Sequence, residues 1–434
     1  MGGALWVPVA APAVEPSSER QQATQVRQAL FGALAGVERS AKGISGSLSQ
    51  LAGRERLGGR ANGAFDRSIG YGTHQLRWIQ SALGGVASQA NAAWEVEAPD
   101  MELGILHMSG PRLQAAMSGA TLLAAWLDFL SLADVVLSQC PFYSAEKLLA
   151  DVRRVQSMIE PSMTALASLA PGQVEATAVA MPGLMGELTR EYQSIREAVR
   201  EASERGGQLM AAAQFAEMLT LVSAMKMSLP RLPPAAPAML GANMRMGSNG
   251  VMVGTQLVVS AEWMEWIRRL VQVGVLSVPA AGAAVRIQAG AVMMSQVRQD
   301  LPQGVRDALG DGPEVRGMHE TGKAGAGMAQ RPRHHVMPAE HREWFEKRGF
   351  SGDMSIDEFC VELELAHHQA LHGGGHWRLG RTWPREWNQM IMSVLREAEA
   401  VTGRMLTRSQ ILKIVARYMR NYGIPMNFTS GRRR

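Results

Sequence analysis

Residues 334–338 read His-His-Val-Met-Pro, and residues 366–374 read Ala-His-His-Gln-Ala-Leu-His-Gly-Gly. Pro338 disfavours helix in the residue before it, so the first histidine pair is predicted to lie in an extended segment. The second stretch is predicted to form a short helix that the glycines end. His368 and His372 are four residues apart, which places both imidazoles on one face of that helix. Together the stretches predict a strand with paired histidines beside a helix with His-x-x-x-His.

The residues between these stretches complete the predicted layout. Residues 339–348 have the polar composition of a helix, and Gly349 would end it. The stretch Ser355-Ile-Asp-Glu358 has the form of a capping box, which would open another helix. From Phe359 to Leu365, however, apolar residues alternate with other residues, which is the period of a strand, and we favour the strand. The C-terminal part is therefore predicted as a small α+β domain with a strand, strand and helix.

Seven of the ten histidines of the chain lie within this part. They are His334, His335, His341, His367, His368, His372 and His376. Histidine binds divalent cations and exchanges protons near neutral pH, so the concentration indicates a metal or catalytic site. Two kinds of site remain open. A closed structural zinc site would use both histidines of the pair together with His368 and His372, whereas an open catalytic site would leave His335 free of the metal.

Several motifs spread over the last hundred residues carry a family resemblance. They are His334-His335-Val-Met-Pro338, Trp344-Phe345, Arg348-Gly349, Ile356-Asp357, His368-x-x-x-His372-Gly373-Gly374 and Trp387-Asn388. This pattern resembles the HNH/Endonuclease VII-like group of His-Me finger nucleases. It is also similar to the C-terminal domain of myxobacterial lipoproteins, which include polymorphic toxins exchanged between kin cells through outer-membrane contact.

The resemblance implies a ββα-metal core and a metal-dependent endonuclease. His335 would be the general base, and His334, His368 and His372 would hold one divalent ion, Mg, Mn, Ni or Zn. The sequence lacks the Asn that usually orients the base in HNH proteins. That role would pass to a backbone carbonyl or to a second layer of side chains, for which the candidates are Asn388, His367 and His376. The resemblance also implies a nucleic-acid substrate and a cognate immunity protein.

The excess of positive over negative charge is confined to the C-terminal end of the chain. Residues 331–434 hold 17 of the 44 Lys and Arg but only 11 of the 39 Asp and Glu. A basic segment of this kind either binds a polyanionic partner or only makes the surface of the protein more soluble. The candidate nucleic-acid contacts are Arg331, Arg333, Arg378, Arg381 and Arg385. Nothing in these residues distinguishes DNA from RNA as the substrate.

Composition divides the chain into five segments. We predict a signal remnant at 1–16, a helical region at 17–229, a Gly- and Ala-rich helical segment at 230–300, a flexible linker at 301–330 and the His-rich domain at 331–434. With two cysteines, a disulfide scaffold is excluded. Asp128 and Asp134 interrupt the most apolar run, so a membrane span is not expected.

The N-terminus leaves the location of the protein open. A signal remnant would imply a protein that is secreted or associated with the outer membrane of the producing cell and that acts in the cytoplasm of a target cell. Otherwise the protein would be cytoplasmic. A non-catalytic envelope lipoprotein, or an interaction module with a structural His-coordinated metal, is the alternative to the toxin nuclease.

Overall fold

The protein is described from a computed structural model. The described residues are 16–53, 64–205, 237–239, 245–246, 252–253, 258–277, 279–281, 331–373, 375–376, 381–382 and 386–430. The predicted linker and nearly all of the predicted signal remnant lie outside these residues. The chain forms two compact units, one of residues 1–28, 91–106 and 331–431, and one of residues 29–90, 107–330 and 432–434. The C-terminal residues therefore share a unit with two segments of the helical region.

The N-terminal half is helical, as predicted. Its helices are α1 (Pro16–Ala52), α2 (Ala64–Trp94), α3 (Pro99–Gln139), α4 (Ala145–Ala167) and α5 (Pro171–Arg205). In α4, which Ser144 caps through the backbone N–H of Lys147, the buried apolar residues recur every three or four positions, among them Leu148, Val155 and Ile159. This periodicity buries one face of α4 in the second unit.

Helix α3 is long and apolar enough to cross a membrane, and 94% of its most apolar window is buried within the protein. Asp128 and Asp134 are also buried. A helix that is apolar on all sides is typical of the centre of a large core as well as of a membrane span. The burial of nearly the whole apolar window of α3 within the protein is typical of a core helix.

The Gly- and Ala-rich segment is only partly helical among its described residues. Strands β1 (Pro237–Met239) and β4 (Val258–Ser260) pair antiparallel, as do β2 (Arg245–Met246) and β3 (Met252–Val253). The helix α6 (Ala261–Gln272) follows. Its Trp266 lies so close to Gly32 that a Cβ there would be 2.4 Å from the indole ring. Glycine at that position is therefore a packing requirement.

The predicted strand pair of the C-terminal part is confirmed as a small antiparallel sheet. Strand β5 (Arg333–His335) pairs with β6 (Cys360–Glu362), and His335 lies opposite Cys360. The second strand is shorter than predicted: it begins at Cys360, after a 3-10 helix over Ile356–Glu358 that Ser355 caps, and it ends at Glu362, before a helix that begins at Leu365. The alternation also fails at Cys360, which is buried where its backbone pairs with Thr429. The C-terminal chain thus pairs with the edge of β6 that does not face β5.

The remaining elements of this unit surround the sheet. A 3-10 helix (Ala339–His341) and α7 (Arg342–Glu346) occupy the predicted helix, and Gly349, at φ +88°, ends that segment as predicted. Then come α8 (Leu365–Gly373), the pair β7 (Gly375–His376) and β8 (Arg381–Thr382), α9 (Trp387–Thr402) and α10 (Arg408–Asn421). Thr407 and Gln410 form a capping box at the start of α10.

Candidate metal centre

Three of the predicted ligands converge in the first unit. His334 comes from β5, and His368 and His372 come from one face of α8. Each offers a ring nitrogen, and the three nitrogens lie within 4.8 Å of one another. The ring of His334 is centred 5.6 Å from that of His368 and 5.2 Å from that of His372. We call these three residues the histidine cluster, and a metal ion could bind to it.

His334 is the buried member of the cluster. Its side chain packs against the indole of Trp387, and its Nε2 finds no hydrogen-bond partner among the described residues. Burial, followed by the nearby His372 and His368, lowers the pKa of His334 to about 3. The imidazole is therefore neutral at pH 7 and keeps a lone pair. A buried nitrogen without a partner is costly unless something satisfies it, and a metal ion would do so.

His372, the most exposed member, is oriented by a carboxylate. Its Nδ1 lies 2.9 Å from Glu386 Oε1, which leaves Nε2 as the nitrogen available to a metal. The other oxygen of Glu386 accepts a hydrogen bond from the backbone N–H of Gln389 at the start of α9. Metal-binding histidines commonly use their second nitrogen in this way, because the carboxylate fixes the ring and raises its basicity.

The two neighbouring histidines of α8 have different surroundings. Burial lowers the pKa of His368, and the nearby His372 and His367 lower it further, so His368 is also neutral near pH 7. His367 is buried on another side of the helix, where its Nε2 lies 3.0 Å from the carbonyl oxygen of Tyr422. That contact anchors α8 to the end of α10 and keeps His367 out of the histidine cluster.

His335 is not part of the cluster. Successive side chains of a strand point to opposite sides, and its Nε2 lies 3.3 Å from Asp357 Oδ1. Arg342 donates to both oxygens of that carboxylate, over 2.7 and 3.0 Å. The hydrogen bond with Arg342 lowers the pKa of Asp357, so the carboxylate remains charged at pH 7. His335 itself keeps about a third of its side chain exposed.

Of the other predicted site residues, some have described side chains and some do not. The amide of Asn388 donates to Glu340 and not to His335. Arg333 donates to Glu362 and to the carbonyl oxygen of Ser430, while Arg331 is exposed. The remaining predicted residues, His376 and the three arginines after it, have side chains outside the described part of the chain: Arg378, Arg381 and Arg385.

Two carboxylates of the site were not predicted from the sequence. Asp357 belongs to the motif Ile356-Asp357 of the family resemblance, but the resemblance assigns no role to its carboxylate. Glu386 lies at the start of α9, where an acidic residue is ordinary, and no sequence signal linked it to His372.

Comparisons of the chain with family models, with curated proteins and with solved structures found no match.

Proposed function

We propose that residues 331–434 are a His-Me finger nuclease domain with a ββα-metal core, which hydrolyses phosphodiester bonds of nucleic acid. One observation carries the proposal. Three histidines converge, while the fourth, His335, is held outside them by Asp357. A closed structural zinc site would take four protein ligands, whereas a catalytic site takes three and leaves a position for water or substrate.

The chain's own residues divide the work of hydrolysis. Asp357 accepts a hydrogen bond from Nε2 of His335, which leaves the lone pair on Nδ1 to take a proton from water. The oxygen of that water forms a bond to phosphorus, the bond from phosphorus to the ester oxygen breaks, and the leaving oxygen takes a proton from solvent. Arg342 keeps Asp357 charged and fixed, so that the imidazole remains correctly oriented.

The histidine cluster would hold one divalent ion. When bound, such an ion supplies Lewis-acid stabilisation of the charge that develops on the phosphate and on the leaving oxygen. Imidazole nitrogens suit zinc, nickel and other transition metals better than magnesium, which prefers oxygen ligands. Glu386 keeps the His372 ring in place for this role.

The wider context follows from the resemblance. We propose that the protein is the toxic effector of an interbacterial polymorphic toxin system and that a cognate immunity protein blocks it in the producing cell. Exposed Arg331 and Arg333 would contact the nucleic acid near β5. Secretion or outer-membrane association in the producer, followed by action in the cytoplasm of a target cell, is part of the same proposal.

A structural metal module is the second candidate. It is favoured by the deep burial of His334, which is 2% exposed and packed on Trp387. In that case the ion would stabilise the domain and His335 would have no chemical role. The two candidates differ in what the removal of His335 does.

Cleavage by the full chain tests the proposal. Plasmid DNA and total RNA would be incubated with the protein and Mg, Mn, Ni or Zn, beside His335→Ala, His368→Ala and the exposed control His74→Ala. We expect metal-dependent cleavage that His335→Ala lowers by about 10²- to 10⁴-fold without loss of the ion. His368→Ala should lose both the ion and activity, and His74→Ala should keep both. The structural candidate would instead be supported if no metal permits cleavage and chelation unfolds the domain.

A further inference from the structure

Helix α10 has one strongly basic face. Its residues Arg408–Asn421 include four cations and no acidic side chain. Lys413, Arg417 and Arg420 are exposed, while the opposite side of the helix, which includes Ile411 and Val415, is buried. We call the exposed row of Lys413, Arg417 and Arg420, with the partly buried Arg408 that flanks it at the start of the helix, the basic face.

Three carboxylates of the same unit are paired with this face. They come from the connection between α2 and α3 and from the first turn of α3. Arg408 lies 3.1 Å from Glu95, and Lys413 pairs with Glu97. Arg420 donates from Nε and from a terminal nitrogen to the two oxygens of Asp100, over 2.5 and 2.7 Å. We call Glu95, Glu97 and Asp100 the acidic segment.

We propose that the basic face is a binding surface for the phosphate backbone of nucleic acid and that the acidic segment competes for it. This inference rests on the proposed function, because it assigns a substrate-gripping surface to the same domain. Nucleic acid would bind by taking over the cations that the carboxylates now hold.

The geometry of the pairs suits such an exchange. A guanidinium presents a planar fork of donors that fits carboxylate and phosphate alike, and Arg420 already holds Asp100 with two donors. The Lys413–Glu97 pair is the most exposed, with side chains 61% and 72% accessible, and the Arg420–Asp100 pair follows at 49% and 35%, while Arg408 is only 24% accessible. Exposed ion pairs contribute little to stability, whereas binding of a polyanion gains from the release of counterions. The long basic side chains can therefore turn from carboxylate to phosphate without unfolding.

The backbone of the acidic segment does not need to leave for this exchange. A Cβ on Gly104 of α3 would lie 2.3 Å from the carbonyl oxygen of Met426 and 2.9 Å from the ring of Phe428. Close packing at Gly104 therefore holds the start of α3 against the C-terminal residues. Exchange of side-chain partners at the surface costs less free energy than separation of these two segments. The carboxylates therefore stay near the basic face and continue to repel phosphate.

The basic face also leads toward the histidine cluster. Tyr422 directly follows α10, and its carbonyl oxygen lies 3.0 Å from Nε2 of His367, the residue next to His368. The ring of Tyr422 packs on Trp387, which in turn packs on His334. A nucleic-acid backbone that follows the row from Lys413 to Arg420 thus runs toward the end of the helix that contacts the site. This direction favours the substrate over an acidic protein as the partner.

Binding of nucleic acid by the full chain tests this inference. The test variant would be Glu95→Gln, Glu97→Gln, Asp100→Asn, in which Asn can still accept the hydrogen bond that Asp100 takes from Met101 N. The matched control would be Glu197→Gln, Glu201→Gln, Glu204→Gln on α5, with the same change in net charge. Fluorescence anisotropy of a labelled 30-base-pair DNA and a 30-nucleotide RNA, without added metal, would give the dissociation constants. Thermal melting would verify folding, and the single variant Glu97→Gln would replace the triple one if that fails to fold.

We expect the test variant to bind about tenfold more tightly at low salt and the control to change less than about twofold. Adding Lys413→Gln and Arg420→Gln to the test variant should remove the gain and lower the slope of log affinity against log salt by about 2. Equal gains in test and control variants would overturn the inference, because net charge alone would then explain them. A gain in affinity that persists after Lys413→Gln and Arg420→Gln would also overturn the inference.

The identity of the partner is tested with polyglutamate of matched charge. If the test variant gains affinity for polyglutamate but not for nucleic acid, the basic face is a surface for an acidic protein and the inference is wrong. These measurements record binding and not cleavage. A chain that never cuts nucleic acid but shows the predicted gain would refute the proposed function alone, while a chain that cuts but shows no gain would refute this inference alone.

Discussion

His334 and His335 are neighbours on one strand, yet their surroundings are opposite. His334 is buried with a ring nitrogen that lacks a partner, its pKa is lowered, and two histidines of α8 face it. His335 is partly exposed and contacts a carboxylate that an arginine holds. Because a strand alternates the direction of its side chains, two adjacent identical residues can serve different chemistry. One side of β5 suits a metal ion, and the other suits the exchange of a proton.

Each side of the strand also has its own supporting carboxylate. Glu386 fixes His372 on the side of the cluster, and Asp357 fixes His335 on the other side. Their surroundings differ as well: Asp357 forms an ion pair with Arg342, while Glu386 also caps α9. If the division is real, removing one carboxylate should affect metal binding and removing the other should affect proton transfer.

Glu386→Gln should weaken metal binding about 10- to 100-fold, because a ligand that loses its carboxylate partner is less basic and less fixed. The amide oxygen can still cap α9, so the fold should be retained. Calorimetric titration of zinc into the metal-free full chain measures the effect. Glu397→Gln, at an exposed position of the same helix, serves as the control. An unchanged affinity in Glu386→Gln would mean that His372 is not held for a metal.

Asp357→Asn should leave metal affinity unchanged and lower kcat for nucleic-acid cleavage about tenfold, because His335 loses the group that orients it. The loss should appear in kcat rather than in KM, because Asp357 acts through the orientation of His335. Asp357→Glu, which restores the charge, should recover part of the activity. A loss confined to KM would assign Asp357 to substrate binding instead.

The sequence predicted local structure well where a residue type restricts the backbone conformation. Pro338 and Gly349 define the ends of elements through steric rules that act over a few residues. The spacing of His368 and His372 predicted a shared helical face, and both belong to the histidine cluster. Such features depend on neighbours in the chain, which a sequence displays directly.

Features that depend on distant residues were not predictable in this way. Cys360 is buried where its backbone pairs with Thr429, and Glu386 at the start of α9 contacts His372 of α8. The pairing of the acidic segment with α10 joins residues more than 300 positions apart. Charge counting placed the excess of cations correctly but could not show that carboxylates near residue 97 already engage part of it.

The smallest expected effect concerns stability on the His335 side of β5. The hydrogen bond with Arg342 lowers the pKa of Asp357, so the unfolded chain takes up a proton there more readily than the folded chain does. The contribution of Asp357 is therefore fully present above its ordinary pKa of about 4 and is lost as pH falls through the lowered value. We expect Asp357→Asn to reduce the opening free energy of β5 and β6 amides by about 1 kcal/mol at pH 7, and by almost nothing once the native carboxyl is protonated. Hydrogen exchange, corrected for the intrinsic rate at each pH, measures this difference. A difference that stays constant down to the lowest pH would show that the Asp357 charge does not stabilise the strand pair, and His335 would then lack the fixed anionic partner that distinguishes it from His334.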